Sequence, residues 1–517
     1  MFEGQPKGLY ALALANTGER FGYYTMLAVF ALFLRANFGL DPAWAGEIYS
    51  DFLMLVYFLP VIGGMAADRW GYGRMVTIGI IIMFVGYLLL SFPFGGDTFA
   101  LIVMLLALVL ISLGTGLFKG NLQVMVGNLY DDPKYASKRD AGFSLFYMAI
   151  NLGALFAPTA AVKIKEWAEV SLGYSSNDAY HFSFAVACAS LVLSIAIYYA
   201  TRSTFRHTEG KTHHNPPVKG GNAPEAQSDN SLPSREGQGG SDRQRIVALC
   251  LVYAVVIFFW MAFHQNGLSL TYFADEFTAH TATAGVESMC FDVLNLVAII
   301  VIVYAGFSLF QSKTARAKGI SAVVVVAALC FLGWQYAGAT EDIAISAPIF
   351  QQFNPFYVVA LTPFSMLIFS SLAAKGKEPS APRKIAYGML VAAAAFLLMM
   401  FASQGLPTPN AQKAAGEAAM FVSPYWLIST YLVLTFGELL LSPMGISFVS
   451  KVAPPKYKGL MMGGWFVATA IGNKLVGVGG YLWGDISLVV VWGVFIAVCL
   501  VAALFMFAMM KRLEKVA

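Results

Sequence analysis

Apolar residues come in runs of about twenty along nearly the whole chain, separated by short polar breaks. A helix rising about 1.5 Å per residue needs roughly that length to cross a hydrocarbon core of about 30 Å. A membrane barrel would show alternating segments of about ten residues instead. The runs predict helices over 8–35, 44–67, 75–94, 98–127, 141–165 and 180–201. A second set is predicted over 246–275, 287–311, 319–338, 352–373, 384–404, 421–447, 458–482 and 488–510. Between the sets lies 202–245, polar and rich in Gly, Pro, Ser and Asn, which reads as a disordered linker. The expected plan is an N-terminal six-helix bundle (1–201), a cytoplasmic linker (202–245) and a C-terminal bundle (246–517).

Composition sharpens this. The chain is 58% hydrophobic and 12% charged, with mean hydropathy +0.66. Soluble globular chains carry about a quarter charged residues, so the class is an all-α polytopic membrane protein. The segment MFEGQPKG lacks the pattern of a cleavable signal, so the first helix is expected to direct insertion. The net charge of +4 sits at helix ends and reports topology, with no nucleic-acid partner implied. Basic loops at 134–139, 313–318, 375–384 and 451–458, the linker and the tail KRLEK share one side if both termini are cytoplasmic. Lys163 and Lys165, on the other side, dilute the contrast. The five cysteines stand singly in or near apolar runs, and no CxxC pair suggests a metal or redox centre. There is no HExxH or Walker A motif, and the glycines of GTGLFKG (114–120) read as close helix packing rather than a dinucleotide fingerprint. No cofactor, metal or enzymatic constellation is expected.

Two bundles joined by a linker are the plan of a secondary transporter. The loop GGMAADRWGYGRM (63–75) resembles the major facilitator loop between helices 2 and 3, with Asp68, Arg69 and Arg74 in place. Asp68 could cap or pair across the bundles; an ordinary helix–turn–helix connection would also fit. A major facilitator has twelve helices, so the surplus pair at about 287–338 reads as an inserted transmembrane hairpin, peripheral to the site.

The candidate chemistry lies in polar residues within the spans, where a charge costs at least about 2.5 kcal/mol on insertion scales. On the first helix Asn16, Glu19, Arg20, Tyr23, Tyr24 and Leu27 share one face. Glu19 and Arg20 are expected to find partners on other helices and to line a polar cavity. Lys119, His264, Gln265 and Glu438 lie in other spans, with Asn151 and Asn354. Glu19, Arg20, Lys119 and Glu438 sum to zero charge. His264 alone among the mid-span groups ordinarily titrates near neutrality. The set could exchange a proton for a pair, or form a structural ion-pair network with His264 as hydrogen-bonded packing.

Several segments resemble the proton-dependent oligopeptide transporter family of the major facilitators. FSLFYMAINLGAL (143–155) matches that family's helix 5 signature. GERFGYY (18–24), GTGLFKGN (114–121), FFWMAFHQ (258–265), FNPFY (353–357), GELLLSPMG (437–445) and MGGWFVATAIGN (462–473) follow in the expected order. The resemblance implies import of di- and tripeptides by proton symport with alternating access, across the inner membrane, by a chain read as a monomer. It assigns Glu19, Arg20 and Lys119 to coupling, and Tyr23, Tyr24, Tyr57, Asn151, Asn354, Glu438 and Trp465 to the peptide pocket. An anion near the peptide ammonium and cations near its carboxylate suit those residue types, and tyrosine and tryptophan walls tolerate varied side chains.

Three positions depart from the family pattern. Asn16 replaces a glutamate, Leu27 an arginine that helps hold the peptide carboxylate, and His264 an acidic residue. The last two are gate partners in the family, so their joint change leaves no orphan charge. The departures leave open a different amine-bearing cargo or an uncoupled facilitator. A nutrient sensor that binds without transport would need a signalling domain or a long ordered tail, and only seven residues follow Met510.

Overall fold

A computed structural model describes residues 4–210, 242–454 and 457–516. The long helices, numbered in chain order, are α1 (Lys7–Phe38), α2 (Pro42–Trp70), α3 (Tyr72–Leu90), α4 (Thr98–Asn128), α5 (Arg139–Val170) and α6 (Ser176–Ala200). After the linker come α7 (Asp242–Phe263), α8 (Val293–Gln311), α9 (Ala315–Gly338), α10 (Phe353–Ala374), α11 (Ala381–Ala402), α12 (Tyr425–Val452), α13 (Lys458–Lys474) and α14 (Leu488–Glu514).

Among the described residues, thirteen helical segments are long and apolar enough to cross a bilayer. The remaining expected span, over 458–482, is α13, whose 17 residues run on through a 3-10 turn (Leu475–Gly477) into Val478–Tyr481. The eighth expected span is broken. A short helix, Val286–Cys290, precedes α8, and Asp292 caps the new start by accepting from the Leu294 backbone N–H at 2.8 Å. Asp292 also accepts from Gln335 of α9 at 3.2 Å, which accounts for a lone acid in the hairpin.

Helices α1 to α6 pack on one another, as do α7 and α10 to α14, giving two bundles. The hairpin α8–α9 packs on α10, and α9 is exposed along nearly its whole length, Ser321 being its buried residue. Small residues set the closest approaches. A Cβ on Gly63 of α2 would sit 2.1 Å from the Gly116 carbonyl of α4, so GTGLFKG serves close packing as its spacing suggests.

The start of α1 lies beside Leu129 and Phe205, so the N-terminus, the end of α4 and the linker's start share one end, the linker end. The linker begins later than 202. Residues 202–210 form two 3-10 turns, with Phe205 and Thr208 buried. Glu209 there accepts from Arg202 at 2.7 Å and from Tyr198 at 3.0 Å. Its backbone carbonyl accepts from Gly73 at 3.3 Å, beside Gly71, whose φ of +93° turns α2 into α3. Of the remaining expected linker residues, 211–241 lie outside the described residues and 242–245 open α7.

Candidate binding site

At the end opposite the linker the two bundles are stitched together. Arg35 of α1 meets Glu276, in the short helix that continues α7, at 2.6 Å, and Trp483 donates to the same carboxylate at 2.9 Å. Lys474 of α13 pairs with both Glu47 and Asp51 of α2, the latter at 2.5 Å. Gln351, before α10, donates to the Ala28 carbonyl of α1 at 3.1 Å. Thr159 of α5 donates to Gln352 at 3.0 Å. A Cβ on Gly480 would sit 3.1 Å from the Gly46 Cα, so backbones of the two bundles nearly touch here.

At mid-depth the geometry changes. Glu19 and Arg20 are expected to find partners on other helices; among the described residues they form an ion pair with each other instead. Two bonds of 2.5 Å join the guanidinium to the carboxylate, and the side chains are 1% and 3% exposed. Long side chains on neighbouring helical positions can fold together, and Arg20 completes the fold by lying 4.7 Å from the Tyr23 ring centre. The pair is neutralised and sealed rather than lining a cavity. Glycines on the other face bring α1 onto α6, since a Cβ on Gly22 would meet the Ser190 hydroxyl at 2.4 Å.

Lys119 of α4 has no carboxylate within 4 Å among the described residues. Its ammonium sits 4.1 Å from the ring centre of Tyr57 on α2. On the C-terminal side, the His264 ring lies 6.0 Å from the Tyr57 ring. His264 is stacked on Trp260 at 5.0 Å, and its Nδ1 lies 2.5 Å from the Asn473 side-chain oxygen. Thus Tyr57 lies near both a cation of its own bundle and an imidazole of the other.

Glu438 of α12 is 8% exposed and makes no ion pair among the described residues; it accepts from the Asn354 amide at 3.0 Å. The same amide donates to Thr435 at 3.0 Å. Tyr24, Tyr57 and Glu438 fall within electrostatic range of one another. So does Tyr147, on α5, which is 48% exposed. Tyr147 was not picked out from the sequence, although it stands one turn before Asn151 and so shares its face. Asn151 itself donates to the Tyr147 carbonyl at 3.0 Å.

Other expected site residues sit elsewhere. Trp465 is buried against α12, where a Cβ on Gly445 would meet its ring at 2.0 Å. Asp68, Arg69 and Arg74 are exposed, and Asp68 accepts from Tyr72 in its own turn at 2.9 Å rather than across the bundles. Leu27 and Asn16 are buried on α1. An apolar groove of about 390 Å³ between α7 and α14, lined by Phe258, Val501 and Phe505, lies apart from this polar set. Among the described residues no group of three or more His, Cys, Asp or Glu is placed to hold a metal.

The POT family model matches residues 73–220 and 335–485. The uncharacterized transporter YclF of Bacillus subtilis (strain 168) is 30% identical over 502 residues, 92% of this chain and 87% of that relative. The peptide transporter YePEPT of Yersinia enterocolitica subsp. palearctica serotype O:3 (strain YE-P4) is 29% identical, over 94% of this chain and 89% of its own. The crystal structure of a POT family transporter in complex with 5-aminolevulinic acid has the same fold. It superposes with a TM-score of 0.73 at 21% identity, covering 99% of this chain and 98% of that one.

Proposed function

This chain belongs to the POT family, and from that premise we propose that it imports di- and tripeptides by proton symport. The carrying observation is a pair of unmatched charges on opposite bundles. Lys119 on α4 has no carboxylate within 4 Å, and Glu438 on α12 has no cation within 4 Å, among the described residues. A desolvated charge without a partner is costly, and a zwitterionic peptide supplies both partners at once. Its ammonium goes to Glu438 with Asn354 and Asn151; its carboxylate goes to Lys119. Tyr24, Tyr57 and Tyr147 form the walls, with Tyr23 buried behind Tyr24. The Glu19–Arg20 pair sets the local field beside Lys119 and belongs to the coupling set, and His264 and Glu438 are the groups that exchange the proton.

Transport is by alternating access, with the bundles rocking about this site. The stitched far end and the exposed Tyr147, in the linker half of α5, support a state open toward the linker. The basic loops support a cytoplasmic location for that end and both termini, in a protein that spans the inner membrane as a monomer. Asp68, Arg69 and Arg74 form the interbundle loop at that end, free to engage when it closes.

A second reading keeps the fold and changes the cargo to another small amine-bearing solute. Leu27 favours it, because with Arg20 tied to Glu19 only Lys119 remains for a carboxylate. Competition against labelled dialanine separates the readings. Peptide transport requires that N-capped and C-amidated dialanine both compete poorly. Undiminished competition by the C-amidated form would move the assignment to an amine carrier.

A further inference from the structure

The apolar groove of about 390 Å³ between α7 and α14 has Ala254, Val255 and Phe258 on one wall and Val498, Val501 and Phe505 on the other. Phe258 and Val501 are exposed, so the groove opens outward, where a spanning bundle meets lipid. Glu276, beyond the end of α7, accepts a hydrogen bond from Trp483, which precedes α14. The two helices therefore run antiparallel, and Arg243 at the start of α7 and Arg512 at the end of α14 both come to the linker end. Helical spacing carries each wall to its arginine. Arg243, Val247, Ala254 and Phe258 share one face of α7, and Val498, Val501, Phe505 and Arg512 share one face of α14. Both arginines are exposed and make no ion pair among the described residues. Lys511 and Lys515 are exposed beside Arg512. The neighbouring acids are Asp242, next to Arg243, and Glu514, which Arg383 of α11 engages at 2.7 Å.

We propose that this groove holds one acyl chain of an anionic phospholipid from the leaflet at the linker end, with the lipid phosphate held by Arg243 and Arg512. Size, depth and charge agree. At roughly 30 Å³ for a water-sized group such as a methylene, the groove holds about thirteen of them, most of one chain. Along α14, Phe505 stands about 10 Å from Arg512 and Val498 about 21 Å. One leaflet with its headgroups is about 20–22 Å deep, so a chain whose phosphate sits at Arg512 ends beside Val498, near the midplane. Hydrocarbon alone gives no preference among lipids, since their tails are as apolar as the walls. The groove supplies the shape that holds a chain, and the arginines supply the choice of headgroup. Guanidinium forks donate in pairs to phosphate oxygens, and their long stems let both heads reach the interface. A zwitterionic lipid offers the same phosphate but adds an ammonium that these cations repel. The site lies on the outer wall of the C-terminal bundle, so it stands whichever solute is carried.

The test is equilibrium binding of lipid to the delipidated full chain in detergent, read as bound-lipid states by native mass spectrometry. The probes are phosphatidylglycerol and phosphatidylcholine with identical chains. The first phosphatidylglycerol should bind about tenfold tighter than the first phosphatidylcholine. Arg243→Gln combined with Arg512→Gln should erase that preference, and Arg243→Lys combined with Arg512→Lys should keep most of it. Val501→Trp, which fills the groove from its exposed side, should weaken the first binding of both lipids severalfold; Val501→Phe replaces it if that variant does not fold. Equal affinities for the two lipids on the wild-type chain overturn the proposal, as does a preference that survives the paired glutamine substitutions. Undiminished phosphatidylglycerol binding after the groove is filled would mean that surface charge alone attracts the lipid, and overturns it too.

Discussion

The far-end seam and the mid-depth cavity are both places where the two bundles present opposite charges, and they treat those charges differently. At the seam Arg35 meets Glu276, and Lys474 meets Glu47 and Asp51. At mid-depth Lys119 lies against Tyr57 and Glu438 accepts from Asn354, and among the described residues neither makes an ion pair. Within the N-terminal bundle Arg20 and Glu19 neutralise each other instead. Matched charges across an interface hold one conformation; unmatched ones await a ligand. The pattern of pairing, more than the number of charges, separates the proposed gate from the proposed binding site.

The largest effect should come from removing the cavity's anion. Glu438→Gln leaves a peptide ammonium facing only neutral amides, and kcat/KM for dialanine should fall about a hundredfold, or ~2.7 kcal/mol. Uptake into proteoliposomes reads this directly. Lys119→Gln should cost dialanine about tenfold in the same assay while barely changing inhibition by a C-amidated peptide. Equal losses for both ligands would make Lys119 structural rather than a carboxylate partner.

Breaking the seam should do less to affinity and more to the balance of states. Lys474→Gln removes one cation from two carboxylates that are about a third to a half exposed, so roughly 1 kcal/mol is at stake. A cysteine at Ser50, which is fully buried beside Gly477, should then label severalfold faster from the far side in a background lacking the native cysteines. Arg35→Gln should produce a smaller change of the same sign, because Trp483 still donates to Glu276. Unchanged labelling in both variants would mean that packing of Gly46 on Gly480, and not charge, closes this end.

Much of this was legible in the sequence. Apolar run length fixes where helices form in lipid, so the spans, the hairpin and the split into two bundles followed. The polar residues within spans marked Lys119, Glu438, Asn354 and His264, and the structure brings Lys119, Tyr57 and His264 to one place. What pairs with what was not legible. Periodicity says which face of α1 carries Glu19 and Arg20, but not that their side chains close on each other. Glu47, Asp51 and Lys474 lie near helix ends, where charges are common, so nothing in the pattern told a gate from a solvated terminus. Tyr147 was hidden because a tyrosine in an apolar run looks like packing until its exposure is known. The early start assigned to the linker had a similar cause, since Glu209 and Arg202 read as solvent-facing until Gly73 and Tyr198 are placed beside them.

The most direct test of the central claim is uptake of labelled dialanine by the full chain in proteoliposomes, with and without an inward proton gradient. The account predicts accumulation above the external concentration when the gradient is present, collapse of that accumulation when it is dissipated, and loss of both in Glu438→Gln. Dialanine that fails to enter under either condition would contradict it.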